Sequence, residues 1–437
     1  MTKNVASRPG EVLPANSVAV PQSPLRTALA GLIGNMLEWF DFAVYGYFAS
    51  DIGSQFFPKS SPSAQQLLAF AVFAIGFFAR PVGSLVLGLI GDRIGRRALL
   101  TLSIALMGGS TLILGLLPTY QQIGLAAPLL LITMRLIQGF SVGGEYTGSM
   151  VYTTESASPL ARGLISSSTA AGVTLGFILG SGSAWLVNVS LGKEEVAVWG
   201  WRIPFIASVL LCVAGWFLRR GLHETAEGLK AVAIRPPLLP SLIADWLPMV
   251  RTFGIVAMTN AAYYLTFTYV VERRKTLHGG GGSGFLLANT VSLVLVLIAK
   301  PLGGWLSDRV GRRRLMLILT VATMSLIYPA LWLMLYGMPW EFLFGQFLLA
   351  VPLGMALGLQ GAMVVEIFPL RTRVTSMSFA YSITLALAGG TAPLVSAWLI
   401  QRFGAPLAPA YYVMLYGAIG FALLWPMQET NTRTLSD

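Results

Sequence analysis

The sequence predicts an all-α integral membrane protein with twelve transmembrane helices in two pseudo-symmetric halves of six. Three observations predict it. Of the 437 residues, 55% are hydrophobic and only 11% are charged, whereas a soluble domain carries about a quarter charged residues. Apolar runs of about 20 residues, each able to cross a hydrocarbon core, recur along almost the whole chain. A charged loop motif occurs twice, at matching places in the two halves. Lipid offers the backbone no hydrogen-bond partners, so the apolar runs must be helices.

The spans fall near 26–50, 65–91, 98–117, 122–154, 163–189, 202–219, 249–270, 285–307, 314–336, 341–366, 373–401 and 407–426. Residues 1–25 lack an apolar stretch ending in a cleavage site and read as a polar N-terminal tail. The polar segment 220–248 links a first half at 26–219 to a second at 249–427, and 428–437 form the closing tail. The formal net charge of +11 raises nucleic acid as a partner, but its distribution argues for a bilayer instead. Most Lys and Arg fall on the loops that share a side with the N-terminus, the positive-inside pattern, which places both termini in the cytoplasm. Cys212, the single cysteine, lies in an apolar run and reads as a small packing residue. His223 and His278 do not cluster with other ligands, so neither a metal nor another cofactor is expected. The stretch 279–284 reads as a flexible linker.

The repeated motif is Gly88-Leu-Ile-Gly-Asp92-Arg93-Ile-Gly95-Arg96-Arg97 and Gly304-Trp-Leu-Ser-Asp308-Arg309-Val-Gly311-Arg312-Arg313. A second pair follows it: Glu155, Pro159 and Arg162 in the first half, and Glu366, Pro369, Arg371 and Arg373 in the second. Glycine allows helix ends to approach closely, and Asp92 or Asp308 can pair with an arginine or cap a neighbouring helix N-terminus. Asp92, Arg93, Arg96, Glu155, Arg162, Asp308, Arg309, Arg312, Glu366 and Arg371 are therefore expected to form a gate on the cytoplasmic face. Parallel halves of this kind hold a solute site between them near the midplane and expose it to each side in turn.

These turns resemble the signature of the major facilitator superfamily. The stretches Gly34-Asn-Met-Leu-Glu-Trp-Phe-Asp-Phe42, Arg80-Pro81, Gln138-Gly-Phe-Ser-Val-Gly-Gly-Glu-Tyr-Thr-Gly148 and Trp199-Gly-Trp-Arg-Ile-Pro-Phe205 are similar to the metabolite:proton symporter family. That family includes proline/betaine, citrate, α-ketoglutarate and shikimate transporters. The resemblance runs from about residue 26 to 427. It implies the major facilitator fold, a bacterial inner-membrane location, and secondary proton-coupled uptake of a small solute. Consistently, the sequence contains no Gly-x-x-x-x-Gly-Lys-Ser/Thr phosphate loop. The Gly-Gly-Glu-Tyr-Thr-Gly stretch looks most like the proline/betaine type, whose osmosensing form carries a long C-terminal coiled coil that is not expected here.

Independently of any family, charge inside the spans is the strongest functional signal, because an ionisable group in hydrocarbon is costly unless it faces a partner or a wet cavity. Asn35, Glu38, Asp41 and Tyr45 share one face of span one at steps of three and four. Span four carries Arg135, Gln138 and Glu145. Arg135 and Glu145 lie too far apart along the helix to pair with each other, which leaves Glu38, Asp41 and Arg80 as partners. Lys300 before Pro301 is the counterpart of Arg80 before Pro81, so one cation is expected on each side of a cleft, suited to an anionic or zwitterionic solute. Span seven adds Asn260, Tyr263 and Tyr264, and Gln360 and Tyr381 are weaker candidates. Gly139/Gly143, Gly144/Gly148 and Gly172/Gly176/Gly180 read as close helix contacts. The proton is expected on Glu38, Asp41 or Glu145. The sequence offers no nucleophile, base and metal constellation of an enzyme. Proton-driven export is the competing transport reading.

Overall fold

The computed structural model describes residues 24–94, 96–220, 238–278, 282–431 and 435. Among them stand twelve long helices, labelled here in chain order. The first half holds α1 (Pro24–Tyr47), α2 (Pro62–Ile94), α3 (Arg96–Leu116), α4 (Ala126–Ser141, resuming at Glu145–Glu155), α5 (Arg162–Ser190) and α6 (Arg202–Arg220). The second holds α7 (Trp246–Tyr264, running on through Leu265–Tyr269 and Val270–His278), α8 (Ser283–Val310), α9 (Arg312–Tyr336), α10 (Pro339–Glu366), α11 (Arg373–Thr384, continued by Leu385–Gly390 and Ala392–Phe403) and α12 (Ala408–Leu424).

Seven of these are long and apolar enough to cross a membrane by length and composition alone: α2, α4, α5 and α8 to α11. The helix pair Lys193–Gly200 and Arg202–Phe217, bent by 51°, makes an eighth, and α3 and α12 are shorter apolar helices. Helices α1 and α7 are placed by packing instead. Both lie inside the bundle with most of their described side chains buried, so they need little lipid-facing hydrophobicity. Helix α7 runs past the expected end near 270 because Glu272, Arg274 and Lys275 are buried with partners rather than released to water.

The internal repeat recurs in the packing. A Cβ at Gly143 of α4 would come within 2.5 Å of the Arg80 carbonyl oxygen on α2, and one at Gly358 of α10 would overlap the Lys300 carbonyl oxygen on α8. Each basic residue before a proline is thus held by a glycine on the neighbouring helix of its own half. Gly172 and Gly176 of α5 abut the Leu32 and Met36 carbonyls of α1, as small-residue packing requires. The expected Gly144/Gly148 contact is corrected: a Cβ at either would meet no described atom. These two residues sit where α4 breaks and restarts. Between the halves, α5 packs on α8, α2 on α11, and α4 on α10 and α11.

Candidate functional site

The polar face of α1 is buried as the helical spacing predicts, with Asn35, Glu38, Asp41 and Tyr45 all shielded. Buried charges persist only when paired, and the pairs lie within the first half. Arg80 of α2 reaches Glu38 at 2.7 Å. Its guanidinium stacks on Trp39, Phe42 and Phe77 at 4.5–4.8 Å from the ring centres. Arg135 of α4 reaches Asp41 at 2.6 Å and donates to Gln138 Oε1 at 2.9 Å. Gln138 in turn donates to Asp41 and to Thr111, each at 3.0 Å. Arg135 also lies 3.8 Å over the Tyr45 ring. Asp41, Arg135, Gln138 and Tyr45 are thereby a closed cluster on one side of α1.

The central cavity lies between the halves. Its first-half wall is Trp39, Tyr146 and Val173; its second-half wall includes Asn260, Tyr263, Tyr264, Lys300 and Tyr381. It has room for little more than a water molecule. Lys300 Nζ donates to the Ala170 carbonyl at 2.6 Å and has no carboxylate partner among the described residues. The hydroxyls of Tyr263 and Tyr264 and the indole N–H of Trp39 are buried without a hydrogen-bond partner among the described residues. Tyr381 accepts from Gln360 at 3.0 Å. One expectation is corrected here. Arg80 does not line this cavity with Lys300, because Glu38 and three aromatic rings cover it. Glu145 likewise faces elsewhere, into a second cavity with Glu38.

The repeated turns close one face. Asp308 accepts from the backbone N–H groups of Gly163 and Leu164 at 2.8 and 3.0 Å, capping α5 across the halves. It also binds Arg312 at 2.7 Å, and Arg312 reaches Glu366 at 3.0 Å. Glu155 pairs with Arg373 at 2.6 Å, again across the halves. Arg373 therefore fills the role expected of Arg371, which is exposed and unpaired among the described residues. The backbone explains the exchange: Arg373 opens α11 and points back into the bundle, whereas Arg371 lies in the preceding turn. Arg309 is also exposed, stacked 3.9 Å over Trp305 rather than joined to the gate. Arg162 is buried at the start of α5. The side chains of Asp92, Arg93 and Arg96 lie outside the described residues.

The opposite face is closed too, by residues that the sequence reading missed. Lys275 at the end of α7 binds Asp51 and Glu272, each at 2.9 Å, and donates to the Tyr47 carbonyl at 2.5 Å. Glu272 accepts from the Ser50 backbone N–H at 2.9 Å. Beneath these, Asn289 donates to Tyr47 and Ser181 across the halves, at 2.9 and 3.1 Å. The run Glu272-Arg-Arg-Lys275 was legible only as loop charge, and its burial depends on α7 continuing to His278.

Comparison with known proteins agrees with this architecture. Residues 27–226 match the family model for sugar (and other) transporters, and residues 254–435 match that of the major facilitator superfamily. The proline/betaine transporter of Salmonella typhimurium is 35% identical over 434 residues, spanning 95% of this chain and 86% of that protein. The citrate-proton symporter of Klebsiella pneumoniae is 35% identical over 390 residues, spanning 88% of this chain and 87% of that protein. This chain belongs to the major facilitator superfamily. With such relatives it falls in the metabolite:proton symporter branch. The proton:xylose symporter XylE shares the fold, with a TM-score of 0.74 at 18% identity, covering 94% of this chain and 97% of that one.

The protein is thus a multi-pass membrane transporter of the facilitator fold, and its relatives are transporters rather than enzymes. In a facilitator, the two halves alternate about a site between them. Here that site is sealed at both ends at once, by Asp308 and Glu155–Arg373 on one side and by Lys275 on the other. This arrangement is an occluded state.

Proposed function

We propose that this facilitator carries a small zwitterion with one carboxylate, of the proline or betaine kind, into the cell together with a proton. One observation carries the choice of solute: among the described residues Lys300 is the single charged group on the central cavity, and aromatic rings form much of the remaining wall. An ammonium and a carboxylate a few atoms apart match the chemistry of these walls, and the cavity, water-sized here, widens to admit them as the halves part. Lys300 and Asn260 take the carboxylate, and Trp39, Tyr146, Tyr264 and Tyr381 face the cationic end with their negative ring surfaces. The hydroxyls of Tyr263 and Tyr264, which have no partner among the described residues, offer further donors. A di- or tricarboxylate would find one cation on the cavity wall itself, because Arg80 lies behind that wall and Arg135 is paired with Asp41. The relatives' names do not decide this point, since a proline/betaine carrier and a citrate carrier are both 35% identical to this chain.

The coupling proton is assigned to the carboxylates of the first half, the buried Glu38 or Asp41 or the half-buried Glu145. Desolvation favours a neutral carboxyl and a nearby arginine favours its anion, so movement of either group with the rocking of the halves changes proton affinity. The face with the Asp308 and Glu155–Arg373 contacts is taken as cytoplasmic, with both termini on that side of a bacterial inner membrane. The domain limits 26–219 and 249–427 are kept as the two moving units.

The test is uptake of radiolabelled proline, glycine betaine, α-ketoglutarate and citrate into proteoliposomes, with and without an inward proton gradient. Accumulation of proline or betaine only with the gradient is the expected result. Accumulation of citrate or α-ketoglutarate instead would overturn the zwitterion assignment, and gradient-driven expulsion of a solute would overturn import.

A further inference from the structure

We infer that the proton and the solute use different routes, and that the proton leaves Glu38 through a separate cavity inside the first half, by way of Glu145. The inference rests on the proton-symport reading above.

Two pairs of consecutive residues carry it. On α1, Glu38 and Trp39 point to different places: Trp39 lines the central cavity, and Glu38 lines a second, water-sized one. On α4, Tyr146 lines the central cavity and Glu145 the second. Neighbours on a helix diverge by about 100°, so each pair divides one aromatic from one acid. The two cavities have no lining residue in common. The central one is built from both halves and opens only when they rock. The second is built from α1, α3, α4 and α6 alone, so reaching it requires no movement between the halves.

The break in α4 gives this cavity its polar chemistry. The helix stops at Ser141 and restarts at Glu145, which turns Glu145 inward at the head of the second segment. Ser103 of α3 donates to the Ser141 carbonyl at 2.7 Å and stands 3.4 Å from Glu145 Oε2. A carboxylate, a hydroxyl and a second carboxylate thus line one space able to hold a water. Among the described residues, Arg80 of α2 pairs with Glu38, the phenols of Tyr146, Tyr264 and Tyr381 interact with Glu38 electrostatically, and Ser103 of α3 and Cys212 of α6 share the cavity wall with Glu145.

Transfer is balanced in charge. The O–H bond of protonated Glu38 breaks as a bridging water accepts its proton, and the same water gives one of its own protons to a Glu145 carboxylate oxygen. Water is regenerated, Glu38 becomes the anion that Arg80 holds, and Glu145 carries the proton onward.

Cys212 allows the test, because the only cysteine of the chain stands on this cavity wall and not on the central one. Proteoliposomes are treated with methyl methanethiosulfonate, and labelling of Cys212 is read by mass spectrometry. Gradient-driven accumulation of labelled glycine betaine is then compared with exchange of labelled for unlabelled betaine at equal pH. Modification is expected to cut accumulation by at least about tenfold while leaving exchange within about twofold, as befits loss of a proton-transfer step. Glu145→Gln should give the same split without the reagent, and Cys212→Ala protein should show no response to the reagent. Equal loss of accumulation and exchange, no loss of either, a Cys212 that resists labelling, or full accumulation by Glu145→Gln would each overturn the separate route. Absence of gradient-driven uptake in untreated protein would instead sink the symport reading itself.

Discussion

Replacing Lys300 by methionine removes the one charge that the described residues place on the central cavity while keeping most of the side-chain volume. The cost to the protein itself is small. Lys300 donates to Ala170, a carbonyl inside α5 that already accepts its own helical hydrogen bond, so no acceptor is stranded. The cost to the solute is larger. A hydrogen bond to a charged group contributes about 1.5–3 kcal/mol, so betaine affinity should fall roughly ten- to a hundredfold. Titration calorimetry on purified protein gives the affinity, and the KM for betaine uptake into proteoliposomes should rise in parallel. Choline supplies the control, because it has the quaternary ammonium without the carboxylate. Its weak binding to the aromatic wall should be kept or tightened in the variant, because a like charge has been removed. Betaine affinity that stays within about twofold would refute the assignment of Lys300 to the carboxylate. Equal loss of betaine and choline would show that the substitution had collapsed the cavity rather than removed one contact.

Three further outcomes follow from the gates. Gly304→Ala would push a methyl into the Gly163 carbonyl, where the halves meet, so it should slow turnover by at least about tenfold through loss of closure while solute binding persists; normal turnover would contradict the packing. Asp308→Asn weakens a charged cap on α5 worth about 1–2 kcal/mol, so the amides of Gly163 and Leu164 should exchange hydrogen roughly tenfold faster, and unchanged exchange would dismiss the cap. At the other face, Lys275→Ala strands the fully buried Glu272 and should destabilise by about 3–5 kcal/mol, whereas Asp51→Asn, which leaves Glu272 still paired, should cost about 1 kcal/mol or less. Melting temperatures in that reverse order would remove Lys275 from its place at the centre of the seal.

The sequence was most informative where physics leaves few choices. An acid or base within an apolar run must be partnered, so Glu38 and Asp41 stood out as candidate partners for Arg135. Only the packing decides that Asp41 takes Arg135 and that Glu38 takes Arg80, which was expected on the cleft. Two copies of one turn implied two halves, and the aspartate of the second copy does cap a helix of the other half. What stayed hidden was direction. Glu38 and Trp39 are neighbours in sequence, yet their separation into two cavities depends on what packs against α1. Trp39, Tyr146 and Val173 were indistinguishable from residues facing lipid or a neighbouring helix. The choice of Arg373 over Arg371 turned on where α11 begins, a shift of two residues. The seal at Lys275 required knowing that α7 continues beyond its apolar stretch, which hydropathy alone cannot report.

Trp39 also fixes the sign that coupling must take. It stands on the solute cavity, and Arg80 stacks on its ring while pairing with Glu38. When Glu38 is an anion, it cancels Arg80. When Glu38 is protonated, the Arg80 charge is left uncompensated behind the cavity wall and adds to the field of Lys300, which favours a carboxylate. On the proposed mechanism the protonated carrier therefore binds the solute more tightly, and by linkage the solute tightens proton binding by the same factor, about 5- to 150-fold for couplings of common size. Glu38→Gln mimics the protonated form, being neutral and of similar shape. Its betaine affinity should equal that of the wild-type protein at low pH and lose its pH dependence, while gradient-driven accumulation disappears. An affinity that still fell with rising pH would place the proton on Asp41 or Glu145. A Glu38→Gln protein that bound betaine more weakly than the wild type at every pH would reverse the sign, and with it the argument that Arg80 carries the signal between proton and solute.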